Sequence, residues 1–286
     1  MNNRFFCYLV ILLLAFSFIS SLSFASAKES YSFDKFWGGN GTEPGKFKNI
    51  LGTALLPAIG LIYVADHNNN RVQVFNPKGD FSGQYSINHP SIIAIDRTNY
   101  LYVASTDNGL IKVFSLNPNI ADNNQPLVKT LDTSVYPLYI ALDPRGAYLF
   151  VLSDNYKLNK FKTSNGEKCK TSFDQITFSN PQGLAIGSKG NVYVSDSGKI
   201  YKYDAWGHPL DFQSPTSLAA NIAIDAQDKL YISIGHGIII RCNLEGKNVV
   251  ELPGFGNTLD ILINNKDKTI YTRGRDYIFK FNHLDK

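Results

Sequence analysis

Five histidines, at 67, 89, 208, 236 and 283, are the residues of this 286-residue chain best suited to hold a metal or move a proton. A zinc site needs three such ligands within about 2.1 Å of one point, so their worth depends on whether the fold makes them converge. Glutamate is scarce, at 29, 43, 167, 245 and 251, which leaves few groups for general acid–base work. Cysteine stands only at 7, 169 and 242, too few for a zinc-finger array or a disulfide framework. No Ser/His/Asp or Cys/His spacing points to a nucleophile. Recognition chemistry is better supplied. Lys46-Phe47-Lys48 and Arg273-Gly274-Arg275 interleave cations with aromatic and small residues, and Arg71 and Tyr136 add to them. Such groups hold anions and aromatic rings by charge-assisted hydrogen bonds and cation–π contact.

Composition says what kind of scaffold must position these groups. The chain is 44% apolar and 18% charged, which excludes disorder and collagen-like repeats. Tyr (16), Phe (19) and Gly (22) are abundant, favouring strands and turns over helices. A net charge of +4 is too small to imply a nucleic-acid surface. Residues 1–27 read as a secretory signal: Arg4, an unbroken apolar run from Phe5 to Phe16, then Ala25-Ser26-Ala27 before a cut at Lys28. Left uncleaved, residues 5–27 would tether the chain to a membrane. After cleavage the charge is +3, with Arg4 gone, and residues 28–286 contain no further long apolar run.

Those 259 residues repeat one pattern six times. The marker strand reads LIYVAD (61–66), LYVAST (101–106), LFVLSD (149–154), VYVSDS (192–197), LYISIG (230–235) and IYTRGR (270–275). Its aromatic position falls at 63, 102, 150, 193, 231 and 271, in steps of 39, 48, 43, 38 and 40 residues. An apolar strand precedes each marker, for example IIAID (92–96) and NIAID (221–225), and the first copy, GTALLP (52–57), is degenerate. An aromatic-ending strand follows, such as RVQVF (71–75), KLNKF (157–161) and YIFKF (277–281). A weaker fourth strand comes after turns such as Asn165-Gly166. Four antiparallel strands at this period predict an all-β, six-bladed β-propeller, because each sheet is apolar on both faces and is hidden only by its neighbours in a ring. The four strands of a blade are lettered a to d from axis to rim. The sixth repeat lacks strand d. Tyr31–Trp37 alternates as a strand should and is expected to pair with residues 277–282, closing the last blade.

The segments FWGGNGTEPGKF (36–47) and LIYVADHNNNRVQVF (61–75), followed by NPKGDF (76–81), resemble the NHL-repeat propellers. NPQGLAIGSKGNVYVSDSGKIYKYD (180–204) is a second fair match, and repeats covering 31–283 span the mature chain. In the other repeats the pattern is eroded: Arg71 has no counterpart at Leu110, Leu158, Ile200 or Ile238. The resemblance implies that Asp66 and Arg71 tie the first b–c turn together. Strand alternation puts b–c and d–a loops on one face, so Lys46, Lys48, His67, Arg71, His89, Tyr136, Arg273 and Arg275 form the candidate binding surface there. The expected partner is a protein, peptide or glycan. Ubiquitin-ligase roles belong to relatives with added zinc domains, and RNA binding, as in some relatives, is opposed by export and the small charge. No cofactor is expected. The alternative is a metal-dependent lyase or lactonase with zinc or calcium on the ring axis, as in amidating lyases or regucalcin-like lactonases. Against it, His208 falls on the opposite face and His283 in the tail, only His89 adjoins an axis strand, and no acidic partner is evident near the axis. Asp96, Asp143 and Asp225 end innermost strands, where they satisfy turn backbone groups. Cys169 and Cys242, a blade apart, are expected to be free thiols. Asn40-Gly41-Thr42 is a lone glycosylation sequon.

Overall fold

The computed structural model describes residues 30–107, 109–116, 126–256 and 258–284. The expected secretory signal at 1–27 and nearly all of the polar stretch NPNIADNNQP (117–126) lie outside them. The first strand, β1 (Ser30–Gly38), is held over until the end of the chain. Blade 1 is β2 (Ile50–Leu56), β3 (Leu61–Asp66), β4 (Arg71–Phe75) and β5 (Phe81–Ser86). Blade 2 is β6 (Pro90–Ile95), β7 (Tyr100–Ser105), β8 (Leu110–Ser115) and β9 (Leu127–Asp132). Blade 3 is β10 (Pro137–Leu142), β11 (Tyr148–Ser153), β12 (Leu158–Lys162) and β13 (Lys168–Cys169). Blade 4 is β14 (Pro181–Ile186), β15 (Val192–Asp196), β16 (Lys199–Tyr203) and β17 (Pro209–Leu210). Blade 5 is β18 (Ile222–Ile224), β19 (Lys229–Ser233), β20 (Ile238–Asn243) and β21 (Val250–Pro253). Blade 6 is β22 (Ile261–Ile263), β23 (Ile270–Arg273), β24 (Tyr277–Leu284) and, as its rim, β1. Every pairing is antiparallel, and the expected six-bladed ring with its amino-terminal closing strand is what forms.

Burial explains why the blades form a ring. Each blade-to-blade junction holds its own apolar cluster. Tyr63, Val72 and Val74 of blade 1 meet Ile93, Leu101 and Val103 of blade 2. The last junction brings Phe47, Ile62, Val64 and Phe75 of blade 1 against Tyr271 and Ile278 of blade 6. The marker strands supply the middle of every cluster, which is why they read as nearly continuous apolar runs rather than as alternating ones. Closure of the rim is longer than residues 31–37 suggested. β1 pairs from Ser30↔Leu284 to Gly38↔Tyr277, with one bulge between Phe33 and Lys35. His283 therefore lies inside β24, not in a tail, and its ring stands edge-on to Tyr31 at 5.2 Å.

The innermost strands of blades 1 to 4 each begin with a bulge, three of them at a proline. Proline is tolerated there because the axis edge has no further strand to receive its missing N–H. After the bulge the blades crowd the axis. A Cβ on Gly52 would lie 2.6 Å from the Ser91 carbonyl oxygen, and one on Gly183 would lie 2.9 Å from the Ile222 nitrogen. Glycine at these two positions is a packing requirement between neighbouring blades.

Candidate functional site

The b–c/d–a face is built around Asp66, which is fully buried at the end of β3. Its Oδ1 accepts the Lys48 backbone N–H at 2.7 Å. Its Oδ2 accepts Arg71 Nε at 2.8 Å, Asn69 Nδ2 at 2.8 Å and Gln73 Nε2 at 3.1 Å. Arg71 spends three more donors on the carbonyls of Glu43 and Lys46 and on Gln84. The pair thus pins the loop 39–49, which leads out of the closing strand, onto blade 1. Four of the five Arg71 N–H donors are thus used inside the fold, which leaves a ligand one at most. Asp196 repeats the acceptor half in blade 4, taking the N–H groups of Ser179 and Asn180 at 3.0 and 2.5 Å.

The other predicted residues are scattered across this face. His67 and His89 do meet, with rings 5.4 Å apart. His67 Nδ1 donates to the Pro90 carbonyl at 3.1 Å, and His89 Nδ1 to Asp107 at 2.7 Å. His236 sits on the b–c turn of blade 5 and His208 on the opposite face, bonded to Asp204 at 2.8 Å. Lys46 Nζ donates to the Gly38 carbonyl at 2.8 Å, while Lys48, Tyr136 and Arg275 are exposed. Arg273 Nη1 and Nη2 donate to the Ile50 and Leu51 carbonyls, both at 2.9 Å, stapling blade 6 to blade 1. Its Nε lies 3.7 Å from Asp260. Asp260, just before β22, is an acidic group close to the axis that sequence reasoning missed. It accepts Thr53 Oγ1 at 2.6 Å. The Tyr139 phenol, reaching in from blade 3, has its pKa raised, first by burial and then by the Asp260 charge. The only sequence hint was Asp260 itself, directly ahead of an innermost strand. An apolar groove of about 400 Å³ also opens on this face, between blades 5 and 6, with Phe33, Phe255 and Phe281 in its walls.

The opposite face carries a connected series of cavities. One of about 490 Å³ forms the axial mouth, ringed by a–b turns from all six blades, from Pro57 to Asn265. It adjoins one of about 510 Å³ between blades 3 and 4, the two sharing Asp143, Pro144 and Ser188. A third, about 360 Å³ between blades 4 and 5, shares Lys189 with one and Asp228 with the other. The acidic residues at the mouth are turned inward, as the turn reading expected. Asp96 Oδ1 accepts the N–H groups of Thr98 and Tyr100, and Asp225 Oδ1 those of Gln227 and Lys229. Asp143 accepts from Arg145 and Tyr148 in the same way.

The cavity between blades 3 and 4 has an unusual floor. Lys160 is 1% exposed, and its ammonium lies 3.7 Å from the Trp206 ring centre and 4.0 Å from that of Tyr148. It donates to the Ala205 carbonyl at 3.0 Å. Burial lowers its pKa, opposed by the more distant charges of Asp143 and Asp204. Lys202 makes the matching bond one blade on, to the Leu244 carbonyl at 3.0 Å. The lysine before the final aromatic of KLNKF and KIYKY is therefore an inter-blade staple.

Among the described residues, no three His, Cys, Asp or Glu side chains are placed to share one metal ion. Cys169 and Cys242 are both free, and burial pushes the Cys242 thiol up to about 12. No described helix is long and apolar enough to cross a membrane.

Fold and repeat define the class: this is a six-bladed β-propeller of four-stranded blades. The NHL repeat model matches residues 47–75 and 178–199, the turn-and-strand units of blades 1 and 4 that hold Asp66 and Asp196. Two of its six blades thus contain segments that match the NHL repeat. No curated protein matches it in sequence. Among solved structures, it is similar to a gluconolactonase from Xanthomonas campestris, at 13% identity and a TM-score of 0.62 over 91% of this chain and 98% of that one. It is also similar to virginiamycin B lyase from Staphylococcus aureus, at 12% and 0.58, over 89% and 100% of the two chains. The PQQ-bound aldose sugar dehydrogenase from Streptomyces coelicolor gives 15% and 0.61, over 90% and 99%. At such identities the likeness is one of fold.

Proposed function

We propose that this chain is an exported NHL-repeat propeller that works as a binding scaffold, presenting a rigid surface to a glycan, peptide or protein. The observation that carries this reading is the connected groove on the a–b/c–d face, which runs from the axial mouth to Trp206. Its walls are short turns whose backbone N–H groups are already tied to Asp96, Asp143 and Asp225, so little conformational entropy is lost when a ligand docks. The surface first expected, on the b–c/d–a face, is a poorer fit. Arg71 and most of Arg273 are committed to backbone carbonyls there. Export rests on the leader at 1–27.

The test is binding of the mature chain to arrayed glycans and peptides. Ala226→Trp, which fills the axial mouth, should abolish capture. Lys48→Glu combined with Arg275→Glu on the far face should leave it unchanged. The reverse pattern would return the site to the b–c/d–a face. Stoichiometric zinc or calcium in the purified protein would instead favour the lyase or lactonase alternative.

A further inference from the structure

We propose that the cavity between blades 3 and 4 is a subsite for a carboxylate-bearing sugar ring, a uronate residue of an acidic glycan, stacked on Trp206 with its carboxylate toward Arg145 and Lys189. This rests on the groove being the ligand face.

The charge balance of the cavity favours an anion. The Lys160 ammonium on its floor has no carboxylate within ion-pair distance among the described residues; its neighbours are two ring faces and one carbonyl. A buried cation whose nearest carboxylates, Asp143 and Asp204, act on it only from beyond contact still attracts a negative group. On the rim, Arg145 and Lys189 are exposed, and their side chains make no hydrogen bond or ion pair among the described residues. Asp143 does not engage Arg145 directly, because its carboxylate accepts the Arg145 and Tyr148 backbone N–H groups.

The same cavity offers a platform for a ring. Trp206 is 47% exposed, yet it is held firmly. Asp204 Oδ1 accepts the backbone N–H of Trp206 at 2.8 Å and of His208 at 3.0 Å. Gly207, at φ +91°, is packed against Phe173 so closely that a Cβ would lie 2.6 Å from the Phe173 nitrogen. Tyr148 braces the indole edge-on at 6.4 Å. A rigid, half-exposed indole suits the C–H face of a pyranose at little entropic cost.

The rest of the groove separates a glycan from other anions. Beyond Lys189 it presents Asp228 and Glu245 beside Lys202 and Lys229, alongside amides such as Asn191 and Gln227. Hydroxyl groups donate and accept, so they match both. A densely charged strand such as nucleic acid would have to set phosphates beside those carboxylates as well as beside the lysines, whereas a sugar chain with sparse carboxylates can leave Asp228 and Glu245 to hydroxyl donors.

The experiment titrates the mature chain with a hexamer of galacturonate and with the same hexamer fully methyl-esterified, followed by calorimetry and tryptophan fluorescence. The chain has two tryptophans. Trp37 is packed between Phe75 and Tyr271, so a quench reports Trp206. The acid should bind at least about tenfold more tightly than the ester. Arg145→Gln with Lys189→Gln, both on the surface, should erase that preference without moving the melting temperature. Trp206→Ala should weaken both ligands by about tenfold or more. Equal binding of acid and ester that still depends on Trp206 would overturn the acidic subsite and leave a glycan groove standing. A preference that survives the double variant would also overturn it. Binding of neither hexamer, with hexaglutamate bound in their place, would overturn the sugar assignment while keeping the groove. Ligand capture that ignores Trp206 and Ala226→Trp alike would take down the groove reading itself.

Discussion

Asp66 accepts four hydrogen bonds in a place closed to water, and one of its donors is a guanidinium that also holds two loop carbonyls. Removing one member of such a pair strands the other. Arg71→Met or Asp66→Ala should therefore cost about 3–5 kcal/mol in denaturant unfolding. Arg71→Lys should recover little, since an ammonium cannot reproduce the fork that spans Asp66, Gln84 and the loop. A loss under about 1 kcal/mol would mean that the loop 39–49 is held by its apolar contacts, Phe47 above all, and not by the charge pair. The cysteines offer a second measurement. Burial keeps Cys242 protonated well above neutral pH, while Cys169 is only half-buried in a two-residue rim strand. Brief iodoacetamide treatment at about pH 8 should modify Cys169 and spare Cys242 by mass analysis. Equal labelling would contradict the closed blade 4–5 junction. The Asp66–Arg71 pairing was legible through the resemblance to NHL repeats, in which such a pair ties the b–c turn, and its two partners lie five residues apart. Asp260 was not, since Thr53 and Arg273 reach it from different blades and only closure of the ring brings them together. Trp206 was missed for the same reason: its contacts with Lys160 and Tyr148 cross from one blade to the next.

At the level of strands, the six marker segments could be read directly, because a strand buried on both faces leaves an apolar signature wherever it lies, and the closing role of 31–37 followed from its alternation and from the missing sixth rim strand. Rim strands could not be bounded that way. β13 and β17 are two residues long, and their pairing is set by turns more than by side chains. The crowding of innermost strands was also invisible, because it depends on how near the next blade comes. Gly52→Ala and Gly183→Ala should each destabilise the fold by about 1–3 kcal/mol, since backbone atoms of the neighbouring blade must move to admit the methyl group. An unchanged unfolding midpoint would show that the blades part easily at the axis. Closure has its own pH dependence. Asp34 on β1 lies 2.9 Å from Lys280 on β24, and that hydrogen bond lowers its pKa below the ordinary 3.8. A depressed carboxylate stabilises the fold above its unfolded value, and the contribution disappears as pH falls through the lower folded value. Both side chains stay in partial contact with water, so screening keeps the effect small. Amide exchange along β1 should speed up relative to β3 on acidification through this window, and Asp34→Asn should remove the difference.

Across the whole molecule, six apolar junctions in series make stability a property of the ring. Deleting residues 30–38 should unravel blade 6 and lower the melting temperature of the entire domain in one transition, because the junction clusters flanking blade 6 include Trp37 and Tyr31. Two separate transitions would mean that blades 1 to 5 persist as an open arc. The same closure fixes an order of events. A ribosome releases residues 30–38 long before the hairpin that receives them, so Phe33, Phe36 and Trp37 have no β-sheet partner until Tyr277–Leu284 is made. Only a chain that has been made as far as β24 can cover β1. Products terminated before that hairpin would keep the aromatic segment open to proteases and to other chains, so the sixth blade certifies that the ring before it has been made.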